Sequence, residues 1–105
     1  MSGTLGAVDL TADTDAILYT VPASKVATVV VSLCNRAAAE ALIRVAISTQ
    51  AAAPVSADFI EYDVTLPPNG VLERSALVLG AGEKVFVRAS TGDVTARVHG
   101  FEQEV

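Results

Sequence analysis

The chain has 105 residues, which fits a single domain, and a formal net charge of −5 from seven basic and twelve acidic residues. Nucleic-acid binding needs clustered positive charge, and these basic residues are scattered, so we expect no nucleic-acid partner. Hydrophobic residues make up 51% of the chain, but Trp is absent and only three Phe and two Tyr occur, so small side chains must fill a thin core, as between two packed sheets.

The first 14 residues are predicted to form an extended N-terminal arm, with the domain itself over residues 15–105. Their Ser, Gly, Thr and Asp content is typical of a mobile terminus. Three spaced apolar residues, Leu5, Val8 and Leu10, indicate a second interpretation, in which the arm lies on a neighbouring subunit and buries them. These three are the candidate partner-binding residues.

Seven segments have the β-branched composition or the alternation of strands, with turn residues between them at spacings of roughly ten residues. They cover residues 16–21, 26–33, 41–48, 59–66, 71–79, 84–89 and 94–101, and the fifth is expected to break near Ser75. The second segment is apolar on both faces. Ala27, Val29, Val31 and Leu33 lie on one face, and Val26 and Val30 lie on the other. One of the two faces must meet the opposite sheet, and the other must meet a loop or another subunit.

Alternation also assigns the inward-facing residues of the later strands. They are Ile43, Val45 and Ile47; Ile60, Tyr62 and Val64; Val85, Val87 and Ala89; and Val94, Ala96 and Val98. Residues 35–40 are expected to form the loop of a wide hairpin, and residues 80–83 and 91–93 hairpin turns. The sequence therefore predicts an all-β fold, an antiparallel β-sandwich or small barrel of six to seven strands.

The single cysteine, Cys34, excludes an internal disulfide and is expected to be a small buried side chain of the second strand. No basic segment followed by an apolar run opens the chain, so no secretory signal is predicted. No 18-residue apolar stretch is free of charged and polar breaks, so no membrane span and no membrane partner are expected. Synthesis in a cytoplasm follows as an expectation.

Residues capable of catalysis or metal binding are few. The only histidine, His99, is expected at the surface of the last strand, and its distance in sequence from Cys34 gives no support to a catalytic dyad. Glu61 and Asp63 are expected to share a solvated strand face rather than to act as acid–base or calcium-binding partners. We therefore predict no enzyme, no metal site and no cofactor.

The other charged residues leave two alternatives open. Asp9, Asp13 and Asp15 lack the glycine and the distal glutamate of an EF-hand loop. Four arginines fall at outward or ambiguous strand positions and pair either with acids on neighbouring strands or across a subunit contact. They are Arg44, Arg74, Arg88 and Arg97.

A set of turn motifs carries a resemblance that extends over residues 16–102. They are Leu-Tyr-Thr-Val-Pro-Ala at 18–23 followed by Lys25, Cys-Asn-Arg at 34–36, Leu-Pro-Pro-Asn-Gly at 66–70, Leu-Gly-Ala-Gly-Glu at 79–83 before Val-Phe-Val-Arg at 85–88, and Val-His-Gly-Phe-Glu at 98–102. In order and spacing they resemble small virion proteins of tailed bacteriophages. The resemblance implies a β-sandwich module located in the virion and made in the host cytoplasm, with no enzymatic activity and no cofactor.

Within that resemblance, the leading hypothesis is a capsid decoration or cement protein. It would bind the major capsid protein or other virion proteins where capsomers meet, and a trimer at a three-fold junction is typical of such proteins. The alternatives are a tail, collar or fibre accessory module, and a carbohydrate- or receptor-binding module. The last is weakened because sugar rings stack on aromatic side chains, which are scarce here.

Overall fold

The computed structural model describes residues 2–104, so the predicted domain limits at Met1 and Val105 lie outside the described residues. Eight strands and one short 3₁₀ turn, Ser56–Asp58, make up the regular structure of this range. The strands are β1 (Ser2–Asp9), β2 (Ala16–Thr20), β3 (Lys25–Asn35), β4 (Ala41–Ser48), β5 (Phe59–Leu66), β6 (Val71–Leu79), β7 (Lys84–Ala89) and β8 (Val94–Glu104). The all-β prediction is confirmed. Residues 2–104 contain no helix long and apolar enough to cross a membrane.

The strands form two antiparallel four-stranded sheets, which makes the fold a sandwich rather than a barrel. Sheet A has the order β1-β8-β3-β6, and sheet B has the order β2-β7-β4-β5. The pairs β1–β8, β2–β7, β3–β6 and β4–β5 are those of one long hairpin, and the further pairs β3–β8 and β4–β7 form when that hairpin rolls up. This is the topology of an eight-stranded jelly roll.

The connections differ from the predicted hairpins. In residues 2–104 only β4 and β5 are consecutive strands of the same sheet, and every other connection crosses between the sheets. The turns at 36–40, 80–83 and 91–93 lie where the sequence places them, but each joins strands that face each other across the core. Turn residues report local backbone geometry, whereas the choice of strand partner depends on which faces bury each other.

The core lies between the sheets and consists mainly of branched aliphatic side chains. On β3 the odd-numbered residues from Ala27 to Leu33 point inward, as predicted, and the even-numbered ones point outward. The inward residues predicted on β7 and β8 are also buried. Each fully buried Val or Leu contributes about 1.5–3 kcal/mol relative to its exposed state, so a narrow core of many small groups is enough to hold the sheets together.

One of the inward assignments on the β4–β5 hairpin is wrong, because Tyr62 is 56% exposed. Ile47 is half-buried and packs against the core, opposite the buried Val85 of β7. The β4–β5 register shifts twice, and Asp63 has a positive φ of 52°. Each bulge moves the following side chains to the other face, so strict alternation cannot hold across it.

The predicted N-terminal arm is instead strand β1, which pairs antiparallel with β8 at one edge of sheet A. Leu10 is 3% exposed within the core of its own chain, and Leu5 and Val8 pack against that core. The Gly and Thr residues of β1 weaken the composition that is typical of a strand, so the sequence did not predict it. Gly6 is required at its position because a Cβ there would lie 2.2 Å from the carbonyl oxygen of Leu18. Binding of the three residues to another chain stays a prediction, although Leu10 has almost no surface left for a partner.

The edge strands are irregular and the central pairings are regular. Each pairing that involves an edge strand contains a register shift: β1 with β8, β2 with β7, β6 with β3 and β5 with β4. The two central pairings, β3 with β8 and β4 with β7, have none. The break expected near Ser75 corresponds to the shift in β6, where Ala76 has a φ of 59°.

Asn35, at the end of β3, fixes one corner of the sandwich. Its side-chain amide donates to the carbonyl oxygens of Ala39, Leu66 and Pro67 at 2.9, 3.1 and 3.2 Å, and its side-chain oxygen accepts from the backbone of Ala37 at 3.0 Å. The residue is fully buried. One side chain therefore ties the connection after β3 to the turn between β5 and β6.

Candidate functional site

The outer side of sheet A, here called the sheet A face, carries several exposed apolar side chains. It is formed by the outward residues of three adjacent strands, β6, β3 and β8. These are Val71, Glu73 and Val78; Val26, Thr28, Val30, Ser32 and Cys34; and Thr95, Arg97, His99 and Phe101. Val78 is 72% exposed, Val71 65% and Phe101 44%.

This face meets the sequence expectation for β3 in part. The strand is apolar on both sides, and its inward side meets sheet B as predicted. The outward residues Val26, Thr28 and Val30 are only half-buried, so no loop within residues 2–104 covers them completely. Covering of this side by another subunit stays a prediction.

The strand register arranges the face in rows that run across the three strands. Val78 and Phe101 both lie opposite Thr28, on its two sides, and Glu73 and Arg97 both lie opposite Ser32 in the same way. Both rows are therefore centred on β3. The row through Thr28 has an apolar side chain on each side, and the row through Ser32 has a negative charge on one side and a positive charge on the other.

The two charged groups of this face have weak partners within the chain. Glu73 accepts from the Ser32 hydroxyl at 3.4 Å, and Arg97 donates to the Thr4 hydroxyl at 2.8 Å. Adjacent strands are about 4.8 Å apart, so Glu73 and Arg97 stand about 10 Å from each other. Among the residues that the structure describes, Arg97 forms no ion pair, unlike the other four arginines.

Cys34 and His99 lie on the sheet A face but are not brought together. Cys34 is exposed, contrary to the expectation of a buried side chain, because even-numbered residues of β3 point outward. His99 is exposed on β8, as expected. In the β3–β8 register Cys34 lies opposite Thr95 and His99 opposite Val30, so about 13 Å of strand separates them.

The carboxylates considered for chemistry are engaged by arginines instead. Arg44 Nε lies 2.7 Å from Asp63 Oδ1, and Arg74 Nη1 lies 2.7 Å from Glu61 Oε2. The hydrogen bond from Arg44 holds the pKa of Asp63 below its usual range. The Arg74–Glu61 pair joins β6 of sheet A to β5 of sheet B, so Glu61 and Asp63 serve separate contacts.

Two of the acidic residues near the N-terminus also pair with separate arginines. Asp9 pairs with Arg36 at 2.6 Å and Asp15 with Arg88 at 3.6 Å. No group of three or more His, Cys, Asp or Glu side chains suited to a metal ion occurs among residues 2–104. The arginines of the open alternative thus pair within the chain, except Arg97.

The outer side of sheet B holds a small cavity of about 140 Å³ and a cluster of aromatic residues. Asp13, Leu42, Arg44, Asp63, Arg88, Ala89 and Ser90 line the cavity. Beside it, the Arg44 guanidinium stacks 4.2 Å above the Tyr62 ring, which meets Phe59 edge-on at 4.9 Å. Of the charged lining groups, Arg44 and Asp63 pair with each other and Arg88 pairs with Asp15, which leaves a shallow, mixed-charge pocket.

One buried residue of this side was missed by sequence reasoning. Phe86 has the parity of an outward residue, yet it is 2% exposed. It lies opposite Ile17 on β2 and Ala46 on β4. The small Ala46 leaves room beside the ring, and this pairing is visible only once the strand order is known.

No family model matches the chain, and no curated protein matches its sequence.

Proposed function

We propose that this chain is a structural protein of a tailed-phage virion that decorates or cements the capsid shell at the junctions between capsomers. The observation that carries the proposal is the sheet A face, on which residues 2–104 leave Val71, Val78 and Phe101 exposed. Monomeric proteins rarely leave contiguous apolar surface uncovered without a partner. Its partners would be the major capsid protein or other virion proteins.

The shape of the molecule suits this role. A rigid jelly roll supplies fixed surfaces, and many weak contacts repeated by symmetry add up to firm attachment through avidity. Jelly rolls also occur in viral capsid proteins, which supports the proposal as an analogy of fold alone. The turn motifs that resemble those of small phage virion proteins support it independently.

The test compares particles assembled without the chain with the same particles after the purified chain is added. We expect the chain to bind mature shells and to raise the temperature and the chelator concentration at which they release their contents. Serum albumin at the same concentration is the control for non-specific protection. Shells that resist heat and chelation equally well without the chain contradict a cementing role.

The second candidate is a tail, collar or fibre accessory module, for which a rigid sandwich with an open face is equally suitable. Electron-microscopic imaging of virions that carry a labelled copy separates the two, because the label appears either over the head or along the tail. A carbohydrate- or receptor-binding module is the third candidate. Tyr62 and Phe59 are the aromatic groups available for it on the outer side of sheet B, and a glycan array without binding removes it.

A further inference from the structure

We propose that two copies of this chain pair through their sheet A faces, about a two-fold axis that runs along the outer side of β3. This self-association goes beyond the virion role and does not depend on it. It differs from the trimer that the phage resemblance implies, so the two can be told apart by mass.

The apolar rows of the face fit a second copy in this orientation. A two-fold axis along β3 places β6 of one copy over β8 of the other. Val78 and Phe101 stand on opposite sides of Thr28 in one row, so each Val78 meets the Phe101 of the other copy. Val26 and Val30 lie on β3 itself and pack near the axis.

The charges of the face fit the same axis. Glu73 and Arg97 stand on opposite sides of Ser32, so the rotation brings each Glu73 over the Arg97 of the other copy. Two symmetric ion pairs form, joining two groups for which residues 2–104 of their own chain supply no oppositely charged partner. The same operation that matches the apolar groups thus matches the charges, as an isologous interface requires.

The size of the face is adequate for a stable pair. Eleven residues of β3 span about 36 Å at about 3.3 Å per residue, and three to four strands span roughly 14–19 Å. The projected area is roughly 500–700 Å² per copy, against about 800 Å² per partner in standard interfaces. Two sheets packed in this way lie about 10 Å apart, the spacing that short Val and Thr side chains fill.

The experiment is sedimentation equilibrium on the purified full chain and on charge variants of the face. We expect wild type to sediment at twice the chain mass of 10.8 kDa. Arg97→Glu and Glu73→Arg should each raise the dimer Kd by about tenfold or more, because each sets like charges against one another. The double variant, which exchanges the two charges, should return the Kd to within about threefold of wild type.

Lys84→Glu is the matched control, because this substitution changes the charge by the same amount as Arg97→Glu but lies on β7 of sheet B. It should leave the Kd unchanged. Since Glu73 and Arg97 are exposed, all of these variants should fold, and circular dichroism verifies this. A wild-type chain that sediments as a monomer or a trimer overturns the proposal. Single variants that keep the dimer Kd of wild type also overturn it, as does a double variant whose Kd stays as high as that of the single variants.

Cys34 supplies a second readout, because it is exposed on β3 and lies beside the proposed axis. A short bismaleimide should join two wild-type chains through this cysteine. Arg97→Glu should reduce the linked product, and Cys34→Ser should abolish it. Equal linking of wild type and Arg97→Glu contradicts the pairing. Because a second copy and the shell would occupy the same sheet A face, a wild-type chain that sediments as a monomer refutes the pairing alone, whereas shells that the added chain does not protect against heat and chelation refute the virion role alone.

Discussion

Asn35 illustrates how one buried polar side chain can hold a corner of an apolar sandwich. Asn35→Ala removes an amide group whose two hydrogens are shared among three carbonyl oxygens, and one accepted hydrogen bond, at a fully buried position. Because buried carbonyl groups lose their partners, we expect the free energy of unfolding to fall by about 2–4 kcal/mol. Urea unfolding followed by circular dichroism measures the change.

Ser32→Ala is the control for this substitution, on the same strand. Ser32 points outward and makes one long hydrogen bond, of 3.4 Å, to Glu73. We expect its loss to change the free energy of unfolding by less than about 0.5 kcal/mol. Equal effects of the two substitutions would contradict the role assigned to Asn35.

Tyr19 makes stability depend on pH in the alkaline range. Its hydroxyl donates to Glu102 Oε2 at 2.5 Å, between sheets B and A. Burial first, then this hydrogen bond and the nearby negative charge, raise the pKa of Tyr19. The protonated hydroxyl is therefore favoured in the folded state, so its contribution is complete below the unfolded pKa of about 10 and is lost as pH rises above it.

The measurement for Tyr19 is thermal unfolding at a series of pH values from 8 upward. We expect the melting temperature of wild type to fall more steeply above about pH 10 than that of Tyr19→Phe, which has no proton to lose at this position. Tyrosinate absorbance of folded wild type should also show one tyrosine that titrates late. Parallel stability curves for the two proteins would exclude this linkage.

Several residue positions were beyond the reach of sequence alone. Alternation placed the inward residues of β7 and β8 correctly, because the β4–β7 and β3–β8 pairings contain no register shift. Alternation failed for Tyr62 because the neighbouring Asp63 has a positive φ. This conformation belongs to the irregular edge strand β5, and the residue types alone do not indicate it. Cys34 was expected inside on its apolar context, although its parity on β3 already indicated the outer face.

At the scale of elements, β1 has the clearest consequence. Deleting residues 2–9 exposes the edge of β8 and removes Leu5 and Val8 from the core. We expect the melting temperature to fall by about 10 °C or more, on the basis of a loss of at least about 2 kcal/mol for two half-buried aliphatic side chains. Differential scanning calorimetry gives the value.

The matched control for β1 is Ala7→Ser, since Ala7 is an exposed residue of the same strand. It should leave the melting temperature within a few degrees of wild type. A deletion that keeps wild-type stability while weakening assembly would favour the arm on a neighbouring subunit instead.

Seven of the eight strands were predictable because composition and alternation are local properties of the chain. Their partners were not, because the turn at 80–83 contains the same residues whether it closes a hairpin or crosses to the other sheet. The sheet A face was foreseen only through the two-sided apolar character of β3. Its rows depend on the long-range pairing of β3 with β6 and β8, which no local pattern encodes.

At the scale of the whole molecule, the first and last strands are neighbours, which predicts tolerance of circular permutation. Ser2 lies opposite Phe101, so a short Gly/Ser linker can join the ends. New ends in the exposed alanine run 51–53, between β4 and β5, should keep stability within about 2 kcal/mol of wild type. Urea unfolding of the permutant tests this.

The control permutant opens the chain between Pro68 and Asn69, in the turn that Asn35 holds through Leu66 and Pro67. We expect it to be clearly less stable than the first permutant, because the cut frees backbone that the corner fixes. If both permutants have the same stability, the corner does not constrain the fold as inferred.

The register shifts at all four sheet boundaries have a consequence for behaviour at high concentration. A flat boundary strand is a template on which further chains can add indefinitely, as in amyloid fibrils. Here every boundary is kinked, so such growth is blocked on both sheets. At high concentration the protein should therefore remain in assemblies of defined size rather than form fibrils. Side chains on the outer faces of the two sheets will then determine which assemblies form.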